Sequence, residues 1–395
     1  MGSSLCVAVR KKKKKKKTVV VLPEIPEELL IDILIRLPTK SLMRFKCVSK
    51  LWLSLITSRY FTNRFLKPSS PSCLFAYFVD SENQSNYVLL KSSLFSSSHD
   101  RSDISLSVID QHSTIPIMGG YLVNAARGLL CYRTGRRVIV CNPNTRQVVE
   151  LPIMRSKTNV WNWFGHDPLH DEYKVLSLFW DVNKEQRVVR SELQVLVLGV
   201  GSSWRTTQSH HTPHRPFRPY SKGMTINGVL YYIAWTDANR CVLMSFDLSS
   251  DDFNLIELPY ENLSCTSLMN YQGNVATIEN TLLSSDGTVD VCVLEDADKN
   301  QWSNKKTFVL PVSKMNFVHG DRLVMGGSRD SGKVLLTKAN LIRDQPARFF
   351  IYDLERNEIT RRIEIRPSLL GSFNKTNHFV RFFWQHIDSI MYLKT

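Results

Sequence analysis

The chain has 395 residues, of which 43% are hydrophobic and 22% charged. That balance excludes disorder throughout and provides enough apolar side chains for two or three packed domains. The formal net charge is +15 at pH 7, but Arg10 and Lys11–Lys17 supply eight of those charges and leave +7 for the rest, so the basic excess sits in one short tail, which speaks against a nucleic-acid groove. Eight cysteines, none in a C-x-x-C pair, are too few for a disulfide scaffold and read as reduced, buried thiols of the cytosol or nucleus.

Residues 1–18 read as a basic disordered tail. The apolar stretch after the lysines, Val19–Leu22, is interrupted by Pro23 and Glu24, well short of the roughly 7–15 apolar residues of a secretory core. No stretch approaches the roughly 20 apolar residues of a membrane helix. The expectation is a chain without a membrane partner, in the nucleus and/or cytoplasm, whose sequons at Asn83, Asn262 and Asn374 are chance matches. The lysine run itself has three readings: a solvated tail, a nuclear-import signal, or the polybasic half of a two-signal membrane anchor with Gly2 and Cys6. Cys6 stands where the acylation pattern takes Ser or Thr, which counts against the third.

Residues 23–66 read as a small helical module. Leu29, Leu30, Ile33, Leu34 and then Leu37 recur at helical spacing. Pro26 suits the first helical position, Glu27 and Glu28 suit the positive end of the helix dipole, and Pro38, with no N–H to donate, stops the helix. Thr39 is placed to cap a second helix carrying Leu42, Met43 and Phe45, and Ser49 a third, Lys50–Ile56, carrying Leu51, Trp52, Leu55 and Ile56. A last turn or two over Arg59–Leu66 adds Tyr60, Phe61, Phe65 and Leu66. So small a module cannot bury this many large apolar side chains by itself. Part of that surface is expected to be covered by a partner or by the following domain.

The order Ile25-Pro26-Glu27-Glu28-Leu29-Leu30, Ile33-Leu34, Arg36-Leu37-Pro38, Lys40-Ser41-Leu42, Arg44-Phe45, Cys47-Val48-Ser49-Lys50 and Trp52 resembles the F-box motif over the whole module at matching spacing. The resemblance implies that residues 19–67 are an F-box that docks on a Skp-type adaptor and through it joins a cullin–RING ubiquitin ligase. It further implies a docking face formed or supported by Ile25, Pro26, Leu29, Leu30, Ile33, Leu34, Leu37, Pro38, Leu42 and Phe45, with Val48 and Trp52 packing the helical core and bordering the interface. For Phe45, Val48 and Trp52 a core position fits at least as well as contact. For Pro26–Pro38 contact is favoured, because the module is too thin to hide that segment.

Pro68-Ser69-Ser70-Pro71-Ser72 breaks the helical pattern; residues 68–109 read as a linker and first β unit, with a surface loop over Ser92–Asp103. From 110 to 395, short runs of β-branched and aromatic residues alternate with polar residues and turn formers, the pattern of an all-β domain. A loose repeat of apolar strand, polar turn and second strand recurs at Val138–Gln147, Leu243–Asp251 and Phe350–Asn357. Aligning Asn142, Leu198, Asp247, Glu295 and Asp353 gives steps of 48 to 58 residues, near the roughly 50-residue kelch blade, with an Asn/Asp turn accepting local backbone hydrogen bonds. One such sheet cannot bury both faces, so blades pack around an axis. Weaker units at 73–110 and 370–393 are placed to complete the ring as shared strands of one blade. The expected fold class is therefore multi-domain: a small all-α module followed by a large all-β, propeller-like domain.

This region is also similar to the plant F-box-associated domain of the type 3 kind. The residues concerned are Arg127-Gly128-Leu129-Leu130-Cys131, Val140-Cys141-Asn142-Pro143-Asn144-Thr145, Asp167-Pro168 with Tyr173-Lys174-Val175-Leu176, Gln194-Val195-Leu196 with Trp204-Arg205, Ile226-Asn227-Gly228-Val229-Leu230-Tyr231-Tyr232 and Ser245-Phe246-Asp247-Leu248. Two departures stand out: His166, where the family usually places Tyr, and the basic, His-rich insert Ser209–Tyr220. The resemblance implies recognition of a target protein and carries over no contact residues.

No G-x-x-x-x-G-K loop or G-x-S-x-G elbow occurs, and Gly199-Val200-Gly201 fails the dinucleotide fingerprint at its third glycine. Gly326-Gly327-Ser328 reads as a strand-to-strand turn. His210, His211 and His214 have ligand character, but Pro213, Pro216 and Pro219 surround them without a nearby Cys or carboxylate, so a mobile loop is expected rather than a metal site. Trp161, Trp163, Trp180, Trp235 and Trp384 read as blade packing. With no catalytic residue, cofactor or metal indicated, the expectation is a non-catalytic substrate-recognition subunit that tethers an unidentified target protein close to the ligase. Two readings stand beside it. One is a propeller-fold enzyme or other propeller interaction protein outside ubiquitination, to be recognised by convergent buried carboxylates or histidines. The other is a basic nucleic-acid binder resting on Lys11–Lys17, Arg215 and Arg218.

Overall fold

The computed structural model describes residues 8–9, 20–21, 25–66, 73–80, 87–93, 104–105, 110–111, 121–154, 159–185, 187–207, 212–217, 223–237, 240–259, 266–315, 317, 321–327, 332–341, 345–365, 378–386, 389–391 and 393. The lysine run, the Pro68–Ser72 linker, most of the Ser92–Asp103 segment, the three sequons, His210 and His211 lie outside the described residues. Ala8–Val9 and Val20–Val21, on either side of the lysines, pair as a short antiparallel ladder.

Four helices follow: α1 (Glu27–Leu34), α2 (Thr39–Phe45), α3 (Lys50–Thr57) and α4 (Arg59–Phe65). Ser49 caps α3 as expected, its side chain accepting from the Trp52 amide at 3.2 Å, and Ser58 caps α4 by accepting from the Phe61 amide at 3.2 Å. Thr39 does not cap α2. It is already the first helical residue, with Pro38 in the cap position and no side-chain cap bond. Pro26 likewise stands at the cap of α1, one position ahead of the expected one. Leu30, Ile31, Leu34, Leu42, Leu55, Ile56, Phe61 and Phe65 close into one core, and Ile390 from the far end of the chain joins them.

The rest of the described chain is β-structure in six sheets of four or five strands. Five are built consecutively: blade 1 within 121–150, blade 2 within 159–206, blade 3 within 215–257, blade 4 within 266–309 and blade 5 within 323–365. The sixth is shared between the chain's two ends: His378–His386 pairs antiparallel with Cys73–Asp80, which pairs with Tyr87–Ser93. Ile104–Ser105 also crosses over, adding a parallel edge strand to blade 5. Adjacent sheets touch in ring order, and His378–His386 lies beside both Leu323–Gly327 of blade 5 and Tyr121–Ala126 of blade 1. Continuous apolar layers fill the space between blades 1 and 2, 2 and 3, 3 and 4, and 4 and 5. The small all-α module followed by a large all-β propeller is thus the architecture of the chain.

The repeat is visible atom by atom at the end of each third strand. Asn142 Oδ1 accepts from the amides of Asn144 and Thr145. Asp247 does the same for Ser249 and Ser250, and Asp353 for Glu355 and Arg356. In blade 4 the acceptor is Asp296, bonded to the amides of Asp298 and Lys299, and not the adjacent Glu295. Blade 2 ends its third strand at Val197 rather than Leu198 and uses Ser202, whose hydroxyl accepts from the Gly199 amide. Four residues beyond these strand ends the backbone turns left-handed in every blade, at Arg146, Gly201, Asp251, Asn300 and Asn357. Gly326 and Gly327 do not form a turn. They end the first strand of blade 5, opposite Leu335 and Val334.

Candidate functional site

The helical module sorts its apolar residues by direction. Ile31 and Leu34 of α1 and Leu42 of α2 are sealed, at 2%, 1% and 0% exposure, whereas Ile25, Leu29 and Ile33 keep 42%, 55% and 53%. The last three follow one another at intervals of four, so they run as one stripe along α1 and the residue that leads into it. Pro26 and Pro38 are exposed beside it, Val48 is exposed after α2, and Leu37, Phe45 and Trp52 are half-buried. Phe45 and Trp52 meet ring to ring at 5.1 Å and pack against the module core. Burial turns Leu30, Leu34 and Leu42 inward, so they support the exposed stripe from beneath and present no face to a partner. Leu51 and Leu53 of α3 are exposed. Arg64 of α4 pairs with Asp32 of α1, tying the helix that carries the stripe to the one that meets the propeller.

That meeting is polar. Asp171, in the turn between the first two strands of blade 2, accepts from the Asn63 side chain at 2.9 Å, and its backbone carbonyl accepts from Arg59 at 2.9 Å. Arg127, in the corresponding turn of blade 1, donates to Asn63 at 3.0 Å and lies 2.7 Å from His166 Nε2. His166 in turn lies 2.9 Å from the Asp171 carboxylate, and its ring meets Tyr173 edge-on at 4.8 Å. Burial and the Arg127 guanidinium hold the His166 imidazole below its ordinary value, against the opposing pull of Asp171 and Asp167. Burial works to raise the Asp171 carboxyl, but hydrogen bonds from Asn63 and His166, with the charge of Arg59, hold it below the usual carboxylate range. Sequence reading marked His166 only as a family departure and missed Asn63 and Asp171, whose roles depend on elements over a hundred positions apart in the chain.

The other buried charges are committed to structure. Lys174 lies between blades 2 and 3, donating to the Leu248 carbonyl and standing 3.6 Å from Asp167 and 3.5 Å from Asp251. Burial alone would raise the Asp167 carboxyl. Hydrogen bonds from the His170 side chain and the His170 and Leu169 amides, together with Lys174, outweigh it and hold the group low. An acid–base pair needs lone pairs open to a substrate, and these are engaged by the fold. His214 is not in a mobile loop but fully buried, bonded to Tyr232 at 2.8 Å and to the Thr212 carbonyl at 2.7 Å. Among the described residues no cluster of His, Cys, Asp or Glu is arranged to hold a metal ion. Trp161 and Trp163 are blade packing, and Trp163 stacks on Tyr232 at 4.0 Å. Cys131, Cys141, Cys241 and Cys292 are buried thiols, but Cys47, just past α2, is exposed. Among the described residues no helix is long and apolar enough to cross a membrane.

Comparison with known proteins matches residues 22–64 to the F-box domain and residues 74–387 to the F-box associated beta propeller domain. An Arabidopsis thaliana chain that carries an F-box name (At3g52320) is 83% identical over 383 residues, 96% of this chain and 98% of that one. The F-box protein At4g19940 of the same plant is 38% identical over 365 residues, 87% of this chain and 86% of that one. Among solved structures, TolB from Acinetobacter baumannii overlaps 85% of this chain and 73% of its own at a TM-score of 0.45 and 8% identity, a likeness too slight to carry an argument. The helices, the propeller and both family matches agree: the chain belongs to the F-box proteins that carry an F-box-associated β-propeller domain.

Proposed function

We propose that this chain is the target-recognition subunit of a cullin–RING ubiquitin ligase. The F-box engages a Skp-type adaptor through Ile25, Pro26, Leu29 and Ile33, with Pro38 and Val48 at the border, and the propeller engages a target protein. The observation that carries this reading is the open stripe on α1. Three large aliphatic side chains stay exposed directly above a sealed core, the arrangement expected of anchors that enter a partner's groove. F-box domains bind Skp-type adaptors, and this chain matches that domain over the residues that hold the stripe.

The chain's contribution to ubiquitin transfer is proximity. Tethering the target raises the effective concentration of its lysines near the loaded conjugating enzyme, and no side chain of this protein takes part in the chemistry. The module sits against the turns that follow the first strands of blades 1 and 2. The turns after the second strands, such as Gly135–Arg136 and Asn183–Arg187, emerge from the opposite ends of the strands, and we assign target recognition to that far face. Residence in the nucleus and/or cytoplasm belongs to the same reading, with Lys11–Lys17 as a nuclear-import signal.

The test is co-purification of the full chain with a plant Skp-type adaptor. Pro26→Ala combined with Leu29→Ala is expected to abolish it while leaving the thermal midpoint unchanged, since both side chains are exposed. Undiminished binding by the double variant overturns the docking assignment.

A further inference from the structure

We infer that Arg127, His166 and Asp171, with Asn63 and Ile390, form a clamp that holds the F-box module and the propeller as one body. A target seated on the far face is thereby kept at a fixed distance and angle from the adaptor. The second statement rests on the proposed function; the first stands on geometry alone.

Two independent joints meet at this place. The first is the polar cluster. One carboxylate, Asp171, serves Asn63 of α4 and His166 of blade 2 and lies 3.4 Å from Arg127 of blade 1, so three separately folded parts share one acceptor. Arg127 answers from the other side: one terminal nitrogen donates to Asn63, and the other stands beside the same His166 Nε2 that meets Asp171, a nitrogen that bonds one of the two and not both. The asparagine amide is thus held at both ends, its nitrogen by Asp171 and its oxygen by Arg127, which fixes its rotamer and with it the face that α4 presents to the propeller.

The turn that carries Arg127 is one of a repeated kind. Arg127-Gly128, Asn227-Gly228 and Gln272-Gly273 are equivalent two-residue turns with both residues left-handed, at φ 44° and 84°, 49° and 85°, and 52° and 91°. Such turns favour Asn or Gly in their first position. Blade 1 instead places an arginine there, the side chain long and forked enough to span from the turn to α4. Asp171 is also left-handed, at φ 53°.

The second joint is the end of the chain. Ile390 is fully buried in the F-box core while Leu393 is buried in the layer between blades 1 and 2. Asn142 and Asn144, at the repeat turn of blade 1, donate to the carbonyls of Met391 and Ser389, and the Leu393 amide donates to Gln147. The segment 389–393 thus stitches the two domains with one apolar residue in each. A polar clamp and an apolar stitch on neighbouring turns resist rotation about either one alone.

The experiment uses the full chain, alone and co-expressed with a Skp-type adaptor, read by hydrogen–deuterium exchange and small-angle scattering. In Asp171→Ala combined with Ile390→Ala, amides of α4 and of turns 126–129 and 168–172 are expected to exchange at least about tenfold faster, and the maximum dimension in scattering is expected to rise. Exchange in blades 3–5 stays unchanged. Asp171→Asn, which keeps only one of the two acceptor oxygens in use, is expected to restore part of the protection lost in Asp171→Ala; a folded Asp171→Ala variant with the α4 exchange of the parent contradicts the hydrogen-bonding role. Should the double variant fail to fold, Asn63→Ala on the half-exposed face of α4 gives the same reading. Unchanged α4 exchange and unchanged dimensions in a folded variant overturn the clamp. Failure of the parent chain to bind the adaptor overturns the proposed function instead and leaves the clamp measurement standing.

Discussion

Leu29 and Leu30 are neighbours of the same residue type, yet one keeps 55% of its surface and the other 8%. Their difference defines the candidate site. Leu34→Ala, which empties a sealed position, is expected to cost about 2–5 kcal/mol of stability in urea unfolding. Leu29→Ala is expected to cost within about 0.5 kcal/mol while weakening adaptor binding at least about tenfold. Helical spacing made the apolar residues of α1 legible. It did not divide them, because Leu29, Leu30, Ile33 and Leu34 together span more than one face, and the position of α3 and α4 decides which side closes. His166 carries a second prediction. Its imidazole is held below the ordinary value of 6.5 by burial and Arg127, so the unfolded chain takes up a proton before the folded one does, and the stability carried by the neutral ring is lost as pH falls below that value. The carboxyl of Asp171, also held low, keeps its charge throughout that window. The urea midpoint of the parent chain is expected to drop between about pH 7.5 and 5.5, and His166→Gln is expected to flatten that dependence.

Secondary-structure elements here are set by local chemistry that a sequence displays well in some places and poorly in others. Ser49 was legible as a cap because it stands directly before an apolar helical run. Ser58 serves α4 in the same way, and Ser58→Ala is expected to destabilise the module by about 1 kcal/mol, seen as a lower urea midpoint with an unchanged slope. The turn acceptors of blades 1, 3 and 5 were legible because Asn142, Asp247 and Asp353 each close an apolar strand. In blade 4 the register is irregular between Leu294 and Asp296, where the strand passes from one pairing to the next. The acceptor that stands four residues before the left-handed Asn300 is Asp296 and not Glu295. Asp296→Ala is accordingly expected to lower the thermal midpoint, whereas Glu295→Ala leaves it unchanged, a contrast that paired thermal melts read directly.

At the scale of the whole molecule, closure is the feature that sequence reading reached only by necessity. The segments around 73–110 and 370–393 are weak units, and their pairing follows from the need to cover the last open face of the ring. The structure joins them in one sheet and adds two fastenings that no periodicity displays: Ile104–Ser105 at the edge of blade 5 and Ile390 within the helical core. The joint between module and propeller was illegible for the same reason, since its partners are brought together only once the ring has closed. The open stripe on α1 is the feature on which adaptor docking depends. Its most direct test is a hydrogen-exchange footprint of the full chain with and without a Skp-type adaptor. New protection is expected at amides 25–48, around the stripe and its border, with none on the turns of the far propeller face. Protection confined to the propeller, or none at all under conditions where the two proteins bind, would contradict it.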